Sequence, residues 1–340
     1  MSRKKIVITA LSLFFLLCTA LLIGFGYYFV TPLRKGGPDQ VFIVREGATL
    51  RQVSGELELR GLISGRELFL IWARVMGYGR GIKAGEYLLN SGMPPLEICG
   101  VLRRGAIMTH PVTIPEGFNM DQIGALLQKK GLADKKKFLG LAADKELTGR
   151  YFINGPSLEG YLYPDTYQFG RGLSVMSIIH VMVTRFHEVF SPFKERAELR
   201  GMTMEEVVIL ASIVEKETGR AGERPVIASV FLNRLKKRMR LESDPTVIYG
   251  IRDFNGNLTK RDLASYTPYN TYVIHGLPPG PISNPGLDAI RSVLYPAKTD
   301  YLYFVSKNDG SHFFSRTLPE HNRAVRFYQK KKRSRPGKRS

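Results

Sequence analysis

Thr203-Met204-Glu205-Glu206-Val207-Val208-Ile209-Leu210-Ala211-Ser212-Ile213-Val214-Glu215-Lys216-Glu217-Thr218 reads as one buried helix with an acidic end. Thr203 and Glu206 have the Thr-x-x-Glu spacing of a capping box, which starts a helix by satisfying its first free N–H groups. From Val207 to Val214 almost no polar face remains, and a helix that is apolar all round is a buried one. Gly219 is a suitable stop. Two carboxylates, Glu215 and Glu217, therefore emerge from a core at a helix C-terminus, where the helix dipole disfavours negative charge and raises a carboxyl pKa. A carboxyl that stays protonated near neutral pH is what a general acid requires. Lys216 and Arg220 act in the opposite direction, and two solvated glutamates on a fraying end are the plainer alternative. The two residues lie about 200° apart on an ideal helix, so they cannot both face one cleft.

Outward from this helix, the sequence from about Tyr151 onward mixes helices with short runs of Gly, Pro, Tyr and Asn. Val175 to Phe190 carries an apolar stripe at Ile178, Met182, Phe186 and Val189. Arg224 to Arg238 reads as a helix with Ile227, Val230, Phe231 and Leu235 inward. Ser243-Asp244-Pro245-Thr246 is a turn leading into a short ordered segment. Gly276 to Gly286 is dense in proline, which fixes a backbone without secondary structure and suits a groove wall. Tyr301 to Val305 alternates like a half-buried strand.

The net charge of +20 points to an anionic partner. The N-terminus narrows the choice. Arg3, Lys4 and Lys5 precede an unbroken apolar run from Ile6 to Val30, long enough to cross a bilayer, with Tyr27 and Tyr28 suited to the interface. A cleavable signal peptide would need its small residues nearer the end of the run than Cys18-Thr19-Ala20, so an uncleaved anchor at 6–30 is expected, N-terminus in the cytoplasm and the large domain outside. That placement makes nucleic acid an improbable partner. Cys18 lies in the span and Cys99 stands alone between apolar neighbours, so the exported part relies on its core and not on disulfides.

The exported part opens with a repeat at an offset of 70 residues. Val44-Arg45-Glu46-Gly47 aligns with Ile114-Pro115-Glu116-Gly117, and Gly61-Leu62 with Gly131-Leu132. Each copy reads as a strand, a turn at Glu-Gly and an amphipathic helix ending near Gly-Leu. This pattern resembles a LysM-type module, which implies binding to chitin-like or peptidoglycan glycans. A packing or spacer domain is the alternative.

Five motifs then fall in order: Glu159-Gly160-Tyr161-Leu162-Tyr163-Pro164-Asp165-Thr166, Ala211 to Thr218, Ser243-Asp244-Pro245-Thr246-Val247-Ile248-Tyr249-Gly250, Tyr269-Asn270-Thr271-Tyr272 and Gly276-Leu277-Pro278-Pro279-Gly280. The set resembles the YceG-like family of endolytic murein transglycosylases, from the anchor to about Val325. The resemblance implies an α+β protein with one transmembrane helix at 6–30, a LysM-like region at 40–148, a catalytic domain at 150–328 and a basic tail at 329–340. It implies residence in the bacterial inner membrane, peptidoglycan strands as substrate, peptidoglycan synthases as partners and no cofactor. It further implies cleavage of the β-1,4 bond between N-acetylmuramic acid and N-acetylglucosamine with a 1,6-anhydro product, which ends strand elongation.

Such a reaction needs one carboxyl where ordinary glycosidases use two. The resemblance places it on Glu217, with Glu215 and Thr218 as secondary candidates. Glu159, Asp244, Asn270 and Tyr272 are expected to line the groove. A hydrolytic muramidase using Asp244 or Glu215 as second carboxyl, and a non-catalytic wall-binding scaffold, are the competing readings. The histidines show no metal-ligand spacing, and neither a Walker loop nor a Gly-x-Ser-x-Gly elbow occurs.

Overall fold

The computed structural model describes residues 3–77, 82–105 and 108–330. The expected basic tail from Lys331 onward lies outside the described residues. The fold is mixed α+β. Helix α1 (Arg3–Val30) contains the one segment among the described residues long and apolar enough to cross a membrane, Val7–Val30, with a mean hydropathy of 2.5. The chain divides into two compact units, Met1–Pro111 with Gln168–Ser174, which includes α1, and Val112–Tyr167 with Val175–Ser340.

In the first unit, β1 (Gln40–Val44) leads through α2 (Leu50–Leu59) and α3 (Arg66–Val75) to β2 (Gly85–Leu89), and then to α4 (Pro95–Arg104). The strands pair antiparallel, Gln40 opposite Leu89 and Val44 opposite Gly85. Thr49 caps α2 in a reciprocal capping box with Gln52. The core joins Phe42, Leu57, Phe69, Trp72, Tyr87 and Ile98 with Phe29 from the end of α1. Cys99 is buried there as a small apolar residue.

The chain enters the second unit within β3 (His110–Thr113), continues through α5 (Met120–Lys129), α6 (Lys135–Ala142) and α7 (Lys145–Arg150), and reaches β4 (Thr166–Phe169), which pairs with β3. Asn119 and Gln122 form the capping box of α5. Helices α8 (Val175–Phe190), α9 (Lys194–Leu199), α10 (Met204–Glu217), α11 (Arg224–Lys236), α12 (Asp244–Gly250), α13 (Lys260–Ala264) and α14 (Leu287–Leu294) follow. The chain closes with β5 (Tyr303–Ser306) and β6 (His312–Ser315), an antiparallel hairpin, and α15 (Leu318–Val325) packed on both strands.

Helix α10 is the centre of this unit. It is bounded by the expected Thr203–Glu206 capping box, and every residue from Val207 to Val214 is buried. It packs on α11, α12 and α14. Ser212, mid-helix, satisfies its hydroxyl on the Ile209 carbonyl and accepts the Ile282 N–H at 3.0 Å, while Ser283 Oγ donates to the Ser212 carbonyl. The proline-rich segment is thereby pinned along α10. Gly160 sits at φ +89° with the Pro281 ring so close that a Cβ would lie 2.5 Å from it, so a side chain is excluded on both counts. The expected inward Leu235 of α11 is only half-buried; Arg234 takes the interior position instead. Its guanidinium is affordable there because the Leu302, Arg240 and Leu241 carbonyls and Glu242 accept its protons.

Candidate active site

The last turn of α10 sends its two glutamates to different places, as their angular separation requires. Glu215 turns inward against Arg224 of α11, at 2.7 Å, and accepts the Gly286 N–H at 3.0 Å. Both ion-pair partners are nearly excluded from solvent. Burial raises the Glu215 pKa against the hydrogen bond from Gly286 and the charge of Arg224. A carboxylate held in this way is a structural tie, with no free oxygen for a substrate.

Glu217 faces an open cleft of about 420 Å³, lined among others by Asp244, Tyr272, Arg234, Glu242 and Phe304. Its Oε1 accepts a very short hydrogen bond from Ser243 Oγ. Burial pushes its pKa up from 4.5 to about 7; the Ser243 hydrogen bond opposes the rise and the negative charge of Asp244 adds to it. The two cations nearest in sequence point elsewhere, Lys216 Nζ to the Gly117 carbonyl at 3.2 Å and Arg220 to the Asp309 carbonyl at 2.9 Å. The carboxyl is therefore close to half-protonated at neutral pH, the condition under which one group can give a proton and take one back.

The partner of Glu217 is itself held rigidly. Glu242, just before Ser243, adopts φ +52°, a conformation that costs a non-glycine residue about 1–3 kcal/mol. The Ser243 N–H donates to Thr271 Oγ1 at 3.0 Å, and Thr246 Oγ1 donates to the Ser243 carbonyl at 2.7 Å. Thr246 and Thr271 are themselves linked at 2.8 Å, both fully buried. Two motifs far apart in sequence thus meet as one hydroxyl cluster that aims Ser243 at Glu217.

Asp244, exposed at the first turn of α12, accepts Tyr272 Oη at 2.6 Å. Burial and this bond push the Tyr272 pKa up, so the phenol stays a donor. Tyr272 and Phe304 supply apolar ring surface in the same cleft. Of the expected groove residues, Asp244 and Tyr272 stand with Glu217.

The others do not reach this cleft. Asn270 is fully buried; its amide donates to the Asp262, Leu263 and Ser265 carbonyls and its Oδ1 accepts the Tyr272 N–H, so it folds the loop that presents Tyr272. Thr218 is buried, and its hydroxyl accepts the Arg220 N–H to turn the chain after α10. Glu159 lies on the floor of a second cleft of about 690 Å³, on whose wall α12 places Pro245, Ile248 and Tyr249. It accepts from the Met120 N–H, Asn284 Nδ2 and Tyr249 Oη, and burial lifts its pKa to about 7 against those bonds. Its pairing with these three donors makes it the anchor of α5 on the proline-rich segment.

Sequence reasoning missed Ser243 as the Glu217 donor, and missed Arg234. The available signal for Arg234 was its phase, seven residues after Ile227 on the inward stripe of α11. Among the described residues no group of three or more His, Cys, Asp or Glu could hold a metal ion.

The profile of the YceG-like family matches residues 42–327. The endolytic murein transglycosylase of Bacillus subtilis strain 168 is 32% identical over 321 residues, covering 89% of each chain. That of Streptococcus pneumoniae D39 is 29% identical over 338 residues, and the match spans 88% of this chain but 61% of the pneumococcal protein. A crystal structure of a YceG-like protein from Listeria monocytogenes superposes with a TM-score of 0.59 at 34% identity, covering 85% of this chain and all of that one. A profile match over most of the chain, with the site motifs inside it, establishes that this chain belongs to the YceG-like family.

Proposed function

We propose that this chain is a membrane-anchored endolytic lytic transglycosylase with Glu217 as its one acid–base group. Family membership and the names of its relatives support the reaction class. The observation that carries the assignment to Glu217 is its pKa of about 7 in an open cleft, beside a second glutamate locked in an ion pair.

Protonated Glu217 donates to the glycosidic oxygen between N-acetylmuramic acid and N-acetylglucosamine, and the bond from C1 to that oxygen breaks. The C6 hydroxyl of the same muramic ring attacks C1. Glu217, now a carboxylate, removes the C6 hydroxyl proton and returns to its starting state. The product ends in a 1,6-anhydro ring and no water is consumed. Ser243 orients the carboxyl through both steps, and Tyr272 and Phe304 give the sugar an apolar face to lie on.

Helix α1 would hold the enzyme in the cytoplasmic membrane, N-terminus inside, beside the synthases that polymerise new strands. The β1-α2-α3-β2 order with antiparallel strands supports the LysM-like reading of the first unit, where a cleft of about 490 Å³ is lined by Arg45, Glu46, Gln52 and Arg60. Gly47, the Thr49 cap and Gly61 recur as Gly117, the Asn119 cap and Gly131, which supports the internal repeat. Exposed Asp244 in the Glu217 cleft favours one second reading, hydrolysis with Asp244 activating water.

The test is mass spectrometry of glycan strands digested by wild type and Glu217→Gln. Anhydromuramic ends that vanish in the variant support the proposal; reducing muramic ends favour the second reading; undiminished cleavage by the variant refutes the role of Glu217.

A further inference from the structure

Helix α3 is apolar over most of its circumference, with Arg66, Glu67 and Arg74 on the remaining side, yet only part of the apolar surface is covered. Phe69, Leu70, Trp72 and Ala73 enter the core of the first unit, whereas Leu68, Ile71 and Val75, spaced as one stripe, are 42%, 51% and 77% exposed. A helix with two apolar faces is unusual on a protein surface in water. What lies beside the uncovered stripe is α1. Trp72 stacks on Phe29 with ring centroids 4.6 Å apart, and Tyr28 Oη donates to the Gly65 carbonyl at the start of α3. Leu68 shares an apolar recess with Ala20, Leu21, Leu22, Gly24 and Phe25 of the span.

The length of α1 fixes the depth of that recess. Val7 to Gly26 already gives about 30 Å of helix, the thickness of a hydrocarbon core. The last turn of α1, with Tyr28 and Phe29, is left over for the protein core. Leu22 and Phe25 then lie at the outer edge of the hydrocarbon, and Leu68 lies with them.

We propose that the Leu68–Ile71–Val75 face of α3 is a second membrane contact, an interfacial helix lying in the outer leaflet of the bilayer that α1 crosses. The inference rests on the anchor reading of α1 given above. The occupant is lipid because Leu68, at the start of the uncovered stripe, continues the apolar surface of α1 in a shared recess. Arg74 on α3 and Arg34 and Lys35 just beyond α1 are exposed cations at the level of the headgroups, suited to anionic lipid. The two contacts hinder rotation of the first unit about α1 and fix the face it turns to the membrane.

The test uses the full chain, purified and reconstituted alone in phosphatidylcholine–phosphatidylglycerol vesicles. Trp72 is the single tryptophan, so Ile71→Trp and Val75→Trp are placed in a Trp72→Phe background, with folding checked by circular dichroism. Leu16→Trp in the same background sits at the bilayer centre and, read with lipids brominated near the terminal end of the acyl chain, reports on the span. Lipids brominated near the headgroup end of the acyl chain should quench the Ile71→Trp and Val75→Trp emission about twofold or more, as for rings held about 5–10 Å into the boundary. Aqueous iodide should quench them weakly. Quenching by iodide and not by bromolipid, with Leu16→Trp still quenched by bromolipid, places the stripe in water and overturns the proposal. Loss of bromolipid quenching at Leu16→Trp as well would overturn the anchor together with it.

Discussion

Glu217→Gln should make the protein more stable while removing its activity, and by an amount set by pH. A carboxyl whose pKa rises from 4.5 to about 7 on folding is penalised for being charged in the native state. At about 1.36 kcal/mol per pH unit, the penalty is roughly 3 kcal/mol. Between those two values the native state binds a proton that the unfolded state has lost, so wild-type stability falls as pH rises through the window. Glutamine cannot ionise, and its Oε1 can still accept from Ser243. The variant should match wild type near pH 4 and exceed it by about 3 kcal/mol near pH 8. For a unit of this size that corresponds to a Tm higher by about 6–12 °C at the alkaline end. Glu159 titrates in the same window but is present in both proteins, so it cancels in the difference. Thermal unfolding by circular dichroism, in detergent at several pH values, reads the effect. An offset independent of pH, or a variant less stable than wild type near pH 8, would refute the reasoning.

The same carboxyl predicts the pH–rate profile: with Glu217 required in its protonated form, kcat/KM on glycan strands should fall about tenfold per unit above pH 7. Ser243→Ala removes the bond that lowers this pKa, so the alkaline limb should move up while kcat drops by about tenfold or more; an unchanged limb would show that Ser243 does not touch the acid. Arg224→Ala leaves Glu215 buried without its cation and should cost about 3–5 kcal/mol in denaturant titration, whereas Glu215→Gln should keep most of the activity that Glu217→Gln loses. Gly160→Ala, forced against Pro281 at a positive φ, should lower the Tm without altering the pH profile.

Much of this site was legible in the sequence because it depends on local pattern. The capping box and the apolar run define α10, and helical angles alone separate Glu215 from Glu217. The long apolar helix α1 and α8, at Val175–Phe190, were readable for the same reason. What the sequence concealed depends on partners distant along the chain. Glu159 and Asn270 sit in Tyr- and Asn-rich loops, where a side chain that binds sugar and one that ties a loop look alike. Only the fold brings the Met120 N–H to Glu159, and only the fold turns Asn270 onto three carbonyls. On sequence grounds Ser243 reads as part of a turn; its role follows from the strained backbone at Glu242 and from Thr271, which folding brings beside it.

The central claim is that one carboxyl suffices because the sugar supplies its own nucleophile. Cleavage of glycan strands in heavy-oxygen water, followed by mass spectrometry of the new muramic ends, tests it most directly. The account predicts anhydro ends carrying no heavy oxygen. Heavy oxygen at C1 of a reducing muramic end would contradict it, and would assign Asp244 the activation of water.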